Sequence, residues 1–120
     1  MKVLIVDDSE TMRMIIVKSL RQAGFDTFEP IEASSAREAL TQIAKGGIDL
    51  VLSDVNMPEI SGIELVKVIR AKFRVLPIVM VTTESSPEMK KKMLAAGANG
   101  IIHKPFPPEQ LKEVITPFMK

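Results

Sequence analysis

The chain has 120 residues, a formal net charge of +1 and no cysteine, which excludes disulfides, zinc-thiolate sites and thiol catalysis and suits a reducing, cytoplasmic compartment. A single domain of this length buries about two thirds of the surface its unfolded chain exposes, so it needs no staple. Near-neutral charge, the lack of Trp and Tyr, and a longest apolar run of only VLPIVMV (75–81) exclude nucleic-acid binding, base stacking and membrane insertion as expectations.

The first strand is KVLIV (2–6), with no signal peptide before it. Met12, Ile15, Ile16 and Leu20 then recur at helix spacing, and Gly24 is a stop. TFEPIE (27–32) is the weakest strand, because Pro30 removes a backbone donor; an edge position tolerates that. Ser35 and Glu38 have capping-box spacing and open a helix striped by Ala36, Ala39, Leu40, Ile43 and Ala44, which Gly46 or Gly47 ends. DLVLS (49–53) is the third strand, and Ser61 with Glu64 opens the next helix. PIVMV (77–81) is the fourth strand; Ser85 with Glu88, and Pro87 in the first turn, open a helix that Gly97 closes. GII (100–102) is the last strand, and Pro107 sits in the first turn of a helix carrying Leu111, Val114, Ile115 and Phe118.

Five apolar strands alternating with five helices over short connections predict a doubly wound α/β fold, a flavodoxin-like (βα)5 domain of strand order 2-1-3-4-5. Residues 1–120 are read as one domain with no output domain. In this order the first and third strands are neighbours at the topological switch point, where ligands bind beyond the carboxyl ends.

The residues just past each strand are therefore decisive. The first strand ends in Asp7 and Asp8, the third presents Asp54, the fourth Thr82 and the fifth Lys104. Three carboxylates, a hydroxyl and an ammonium share one crevice, with a summed charge of about −2. Two carboxylates ~5 Å apart repel by roughly 3 kcal/mol at an effective dielectric of about 20. A divalent cation relieves this, and an all-oxygen donor set favours Mg²⁺. Adding Thr82 and Lys104 makes the set match phosphoryl transfer, in which charge spreads over three equatorial oxygens. Asp54 is then the nucleophile, becoming an aspartyl phosphate. No Gly-rich phosphate cradle for a nucleotide is present.

With VLIVDDS, LSDVNMPEISGIELVKVIR, PIVMVTTE and GANGIIHKPF in place, the chain resembles the response-regulator receiver family over essentially its whole length, and its single-domain chemotaxis members most. The resemblance implies that Asp54 takes its phosphoryl group from a phosphohistidine of a sensor histidine kinase. It implies Mg²⁺ on Asp8, Asp54 and the Asn56 backbone carbonyl, with Asp7 acting through water, and Lys104 and Thr82 on the phosphoryl group. It also implies a cis Lys104–Pro105 bond. Asn56 and Glu84, two residues beyond Asp54 and Thr82, are the positions that tune phosphate lifetime in the family, and here imply a short one. Output is expected through docking of a monomer by its fourth helix, fifth strand and fifth helix, to a flagellar motor switch protein or another output protein, with a dedicated phosphatase as a further partner.

Two positions depart from the family pattern. Ile101 stands where an aromatic switch residue is usual, and Thr83 where Ala or Gly is common. The familiar coupling of a moving Thr82 to a swinging ring therefore cannot operate in that form. His103 and the Lys90–Lys92 run are read as structural or surface features, and Met89, Met93 and Met119 as core. Three alternatives compete with a chemotaxis receiver: a phosphorelay intermediate feeding a histidine phosphotransfer protein, a small aspartate-nucleophile phosphatase, and a flavodoxin-like electron carrier. The phosphatase is disfavoured by Asn56, which replaces the second acid that chemistry wants. The carrier is disfavoured by carboxylates where a flavin phosphate needs amides.

Overall fold

Strands that are apolar on both faces need helices above and below the sheet. The computed structural model, which describes residues 1–119, has that arrangement. Strands β1 (Lys2–Val6), β2 (Glu29–Ala33), β3 (Ile48–Ser53), β4 (Ile78–Thr82) and β5 (Gly100–His103) alternate with helices α1 (Glu10–Gln22), α2 (Ala36–Ala44), α3 (Gly62–Lys72), α4 (Pro87–Ala96) and α5 (Pro108–Ile115). All pairings are parallel, in the order β2-β1-β3-β4-β5. This is the order expected from the sequence.

Side-chain alternation splits the core into two layers. Leu4, Val6, Val51, Ile78 and Met80 pack toward α2, α3 and α4 with Ala39, Leu65, Ile69 and Met93. Val3, Ile5, Leu50, Leu52, Val79, Val81 and Ile102 pack toward α1 and α5 with Ile16, Leu20, Leu111 and Ile115. Removing a single buried Leu or Ile from either layer costs about 2–5 kcal/mol.

Several local expectations shift. β2 starts at Glu29 rather than Thr27 and keeps Pro30 on the sheet edge. Ser35 and Ser61 cap α2 and α3 as expected, accepting from the Glu38 and Glu64 amides. Helix α4 is capped by Ser86, whose hydroxyl accepts from the Met89 amide, and not by Ser85. The reason is Pro87 at the first helical position: it forces the residue before it into extended backbone, which is the N-cap conformation. The same logic makes Pro107 the N-cap of α5 and Pro108 its first residue. Ile15 and Ala44 face solvent, because the covered stripe of α1 runs through Met12, Ile16, Val17 and Leu20 and Ala44 ends α2. Met93 is fully buried, while Met89 and Met119 are partly buried against the two layers.

Candidate functional site

Parallel strands deliver their carboxyl ends to one edge, and backbone bonds carry the ladder past the strands into the adjoining loops. The Asp7 amide donates to the Ala33 carbonyl (3.1 Å), that of Asp54 to Val6 (3.0 Å) and that of Lys104 to Thr82 (2.8 Å). The first residue of each loop is thereby held almost as firmly as a strand residue.

Asp7, Asp8 and Asp54 each bring one carboxylate oxygen to within 4.8 Å of the others. Asp7 is 2 % exposed, Asp54 half-buried and Asp8 open to solvent. The Lys104 ammonium lies 3.1 Å from Asp7 Oδ2 and 3.6 Å from Asp54 Oδ2, so one cation spans two acids. The other Asp7 oxygen accepts from the Ser9 amide (2.9 Å), and Asp54 Oδ1 accepts from the Val55 amide (2.7 Å). Burial pushes the Asp54 carboxyl above its ordinary range; Lys104 opposes this and Asp7 reinforces it. A half-buried carboxylate between a cation and a second acid is the kind of perturbed group that clusters at functional sites.

The donor set is all oxygen, close-spaced and unevenly exposed. It fits a hard divalent cation such as Mg²⁺, which binds through one or two carboxylates while retaining water. Thr82 is fully buried, and its hydroxyl oxygen accepts from the Glu84 amide (3.0 Å), leaving the hydroxyl proton for another acceptor. Asn56 Nδ2 stands 3.5 Å from Glu84 Oε1, so the two residues flank the crevice together. Thr83 is exposed. Ile101 is half-buried, pairs in register with Met80 and packs into the α2–α4 layer. His103 pairs with Thr82 at the end of β5. The Lys104–Pro105 bond is cis.

Sequence reading missed the contacts that support Asp54 from behind. The Ser53 hydroxyl donates to the Asp54 carbonyl (2.9 Å), and the Gly62 amide donates to the Val55 carbonyl (2.8 Å). Between them the chain turns sharply: the Ile60 amide reaches the Pro58 carbonyl (2.8 Å) with Glu59 at φ 66°, a γ-turn geometry. The glycine after the Ser61 cap was the only signal in the sequence, and it reads as an ordinary helix start.

Residues 3–116 match the family model described as the response regulator receiver domain. The chain belongs to the response-regulator receiver family. This receiver is 44 % identical over 115 residues to the chemotaxis protein CheY-3 of Vibrio cholerae, covering 94 % of the chain and 87 % of that relative. It is 45 % identical over 116 residues to a chemotaxis protein CheY homolog of Campylobacter jejuni, covering 94 % and 88 %. Among solved structures it is similar to the chemotaxis response regulator CheY4 of Vibrio cholerae, with a TM-score of 0.86 at 42 % identity over 98 % of each chain. Receivers of this kind are two-component signalling proteins. Among the described residues, no helix is long and apolar enough to cross a membrane.

Proposed function

We propose that this receiver accepts a phosphoryl group on Asp54 from a phosphohistidine of a sensor histidine kinase and signals by docking to a motor switch protein in chemotaxis. The observation that carries the reading is the Lys104 ammonium placed between Asp7 and Asp54, beside a third carboxylate. That arrangement serves a group bringing several negative oxygens and its own counter-ion.

In the transfer, an Asp54 carboxylate oxygen attacks phosphorus as the phosphorus–nitrogen bond to the donor imidazole breaks. The bonding electron pair leaves with the imidazole, which takes up a proton. Asp8, Asp54 and the Asn56 carbonyl would hold Mg²⁺, with Asp7 engaged through water; when bound it neutralises charge on the phosphoryl oxygens. Lys104 pairs with one phosphoryl oxygen, and the Thr82 hydroxyl, whose proton is unspent, donates to another. Attack of water on the aspartyl phosphate then returns Asp54 and inorganic phosphate. Asn56 and Glu84 border that path and suit a short phosphate lifetime. No external metabolic substrate is turned over.

The chemotaxis assignment is supported by relatives that carry that name at 41–45 % identity. Residues 1–120 act as a single receiver, as a monomer, through the face formed by α4, β5 and α5, and a dedicated phosphatase is a further partner. With Ile101 in place of a ring, the signal passes through the core layer that Ile101 of β5 shares with Met93 and Ala96 of α4.

Intact-mass spectrometry after incubation with acetyl phosphate tests the chemistry. One added phosphoryl group, dependent on Mg²⁺, decaying with time and absent in Asp54→Asn, is expected. No labelling where a control receiver labels would overturn the reading.

A further inference from the structure

Arg13 occupies a position that helix energetics disfavour. It is the fourth residue of α1, and its side chain leans back toward the helix N-terminus, where a positive charge opposes the macrodipole. It is nevertheless well ordered by contacts: Nη1 donates to the Asp7 backbone carbonyl at 2.6 Å, Nε donates to Glu32 Oε1 at 2.9 Å, and the side chain is 13 % exposed. The carbonyl it grips belongs to the peptide group that joins Asp7 to Asp8. Both flanking side chains are members of the acidic cluster. Glu32, on edge strand β2, anchors the guanidinium from the other side.

We propose that Arg13 is a positioning residue for the divalent cation seat, acting through the Asp7–Asp8 peptide rather than through its charge. The guanidinium fixes the plane of that peptide, and this sets the directions in which the Asp7 and Asp8 carboxylates leave the chain. A planar fork holding two acceptors at once does this; a single ammonium does not. The proposal rests on the reading of the acidic cluster as a cation site.

The two roles open to Arg13 have opposite signs, so one titration separates them. As a nearby positive charge it repels a cation, so its removal tightens binding. As a clamp it orders the ligands, so its removal weakens binding, by about tenfold on the scale of outer-shell partners. Isothermal titration of the unphosphorylated protein with Mg²⁺, alongside backbone amide NMR without metal, reads both. In Arg13→Gln we expect weaker Mg²⁺ binding and displaced amide signals for Asp7, Asp8 and Ser9. Arg13→Lys keeps the charge and still weakens binding. Glu32→Gln, which leaves the Asp7 carbonyl contact in place, lies between wild type and Arg13→Gln. Unchanged or tighter Mg²⁺ binding in Arg13→Gln overturns the proposal. If that variant does not fold, wild-type affinity in Arg13→Lys overturns it equally. Absence of Mg²⁺ binding by the wild type would instead sink the cation-site reading itself.

Discussion

Gly62 lies so close to the backbone of Asp54 that a Cβ there would stand 2.0 Å from the Asp54 carbonyl oxygen. The neighbouring atoms are backbone, so nothing flexible can move aside: the Asp54 carbonyl carbon and the Val55 Cα would both lie at 2.9 Å. Gly62→Ala is therefore expected to destabilise the fold by about 3 kcal/mol, at the upper end for overpacking. It should also reduce acetyl-phosphate labelling of Asp54, because relief of the clash displaces the residue that carries the carboxylate. Denaturant unfolding and intact-mass labelling check the two effects separately.

Asp54 has a carboxyl that is harder to ionise in the folded protein than in the unfolded chain, chiefly through burial. With the folded pKa raised, its contribution to stability is full below the unfolded value and is lost as pH rises through the folded value. Ionised Asp54 thus burdens the fold at neutral pH. Asp54→Asn should melt at a higher temperature than wild type at pH 7, measured without Mg²⁺. That advantage should shrink as the pH falls through the raised folded value and should be gone once the pH is below the ordinary carboxylate value.

Lys104 is bound to a nearly inaccessible acid. Lys104→Ala leaves Asp7 without its cation and is expected to cost about 3 kcal/mol without metal. Saturating Mg²⁺ should recover part of this loss, because a bound cation relieves the same repulsion. The variant should retain some labelling yet lose most of its response to an output partner. Thermal melts with and without Mg²⁺ give the first answer, and partner binding after phosphorylation gives the second.

At the opposite edge of the sheet, Asn99 Oδ1 accepts from the Ile78 amide (2.9 Å) and from Arg70 Nη2 (2.7 Å). Arg70 also donates to the Gly97 and Phe73 carbonyls, so one amide oxygen organises the entry to β4 and the end of α4. Asn99→Ala is expected to destabilise by about 1–3 kcal/mol, since it leaves a buried amide without its side-chain acceptor. Labelling of Asp54 should be unchanged, because this network is remote from the acidic cluster. A loss of labelling at full folding would show that the two ends of the sheet are coupled.

The elements were legible because their signals are local. An apolar run of strand length, a Ser three residues before a Glu, and a proline that cannot donate each act within a few residues. Where two local signals competed, as at Ser85 and Ser86, the stiffer one decided: the backbone restriction imposed by Pro87 outranks a side-chain pairing with Glu88. The stripe of α1 is narrower than its periodicity suggests at Ile15 for a different reason. Helix periodicity says which residues share a face, but how wide a face is covered depends on the sheet beneath.

The acidic cluster was legible by an intermediate route, since parallel strands must end on one edge and the residues after them are read directly from the chain. The contacts within it were not legible. Lys104 and Asp7 are 97 positions apart, and their pairing follows from the placement of β5 two strands away from β3 and three from β1. Gly62 against Asp54 and Arg13 on the Asp7 carbonyl likewise depend on how a helix start seats on a strand end.

The sequence by itself therefore determined the strands, the helices and which side chains follow each strand toward the common edge, because hydrophobic periodicity and strand polarity are properties of the chain alone; the strand order rested on Pro30 marking an edge strand within a doubly wound fold. Tertiary structure decided which oxygen meets Lys104, which carbonyl tolerates only a glycine and which peptide Arg13 grips. Those outcomes depend on distances of a few tenths of an ångström between segments remote in sequence, and only packing sets them.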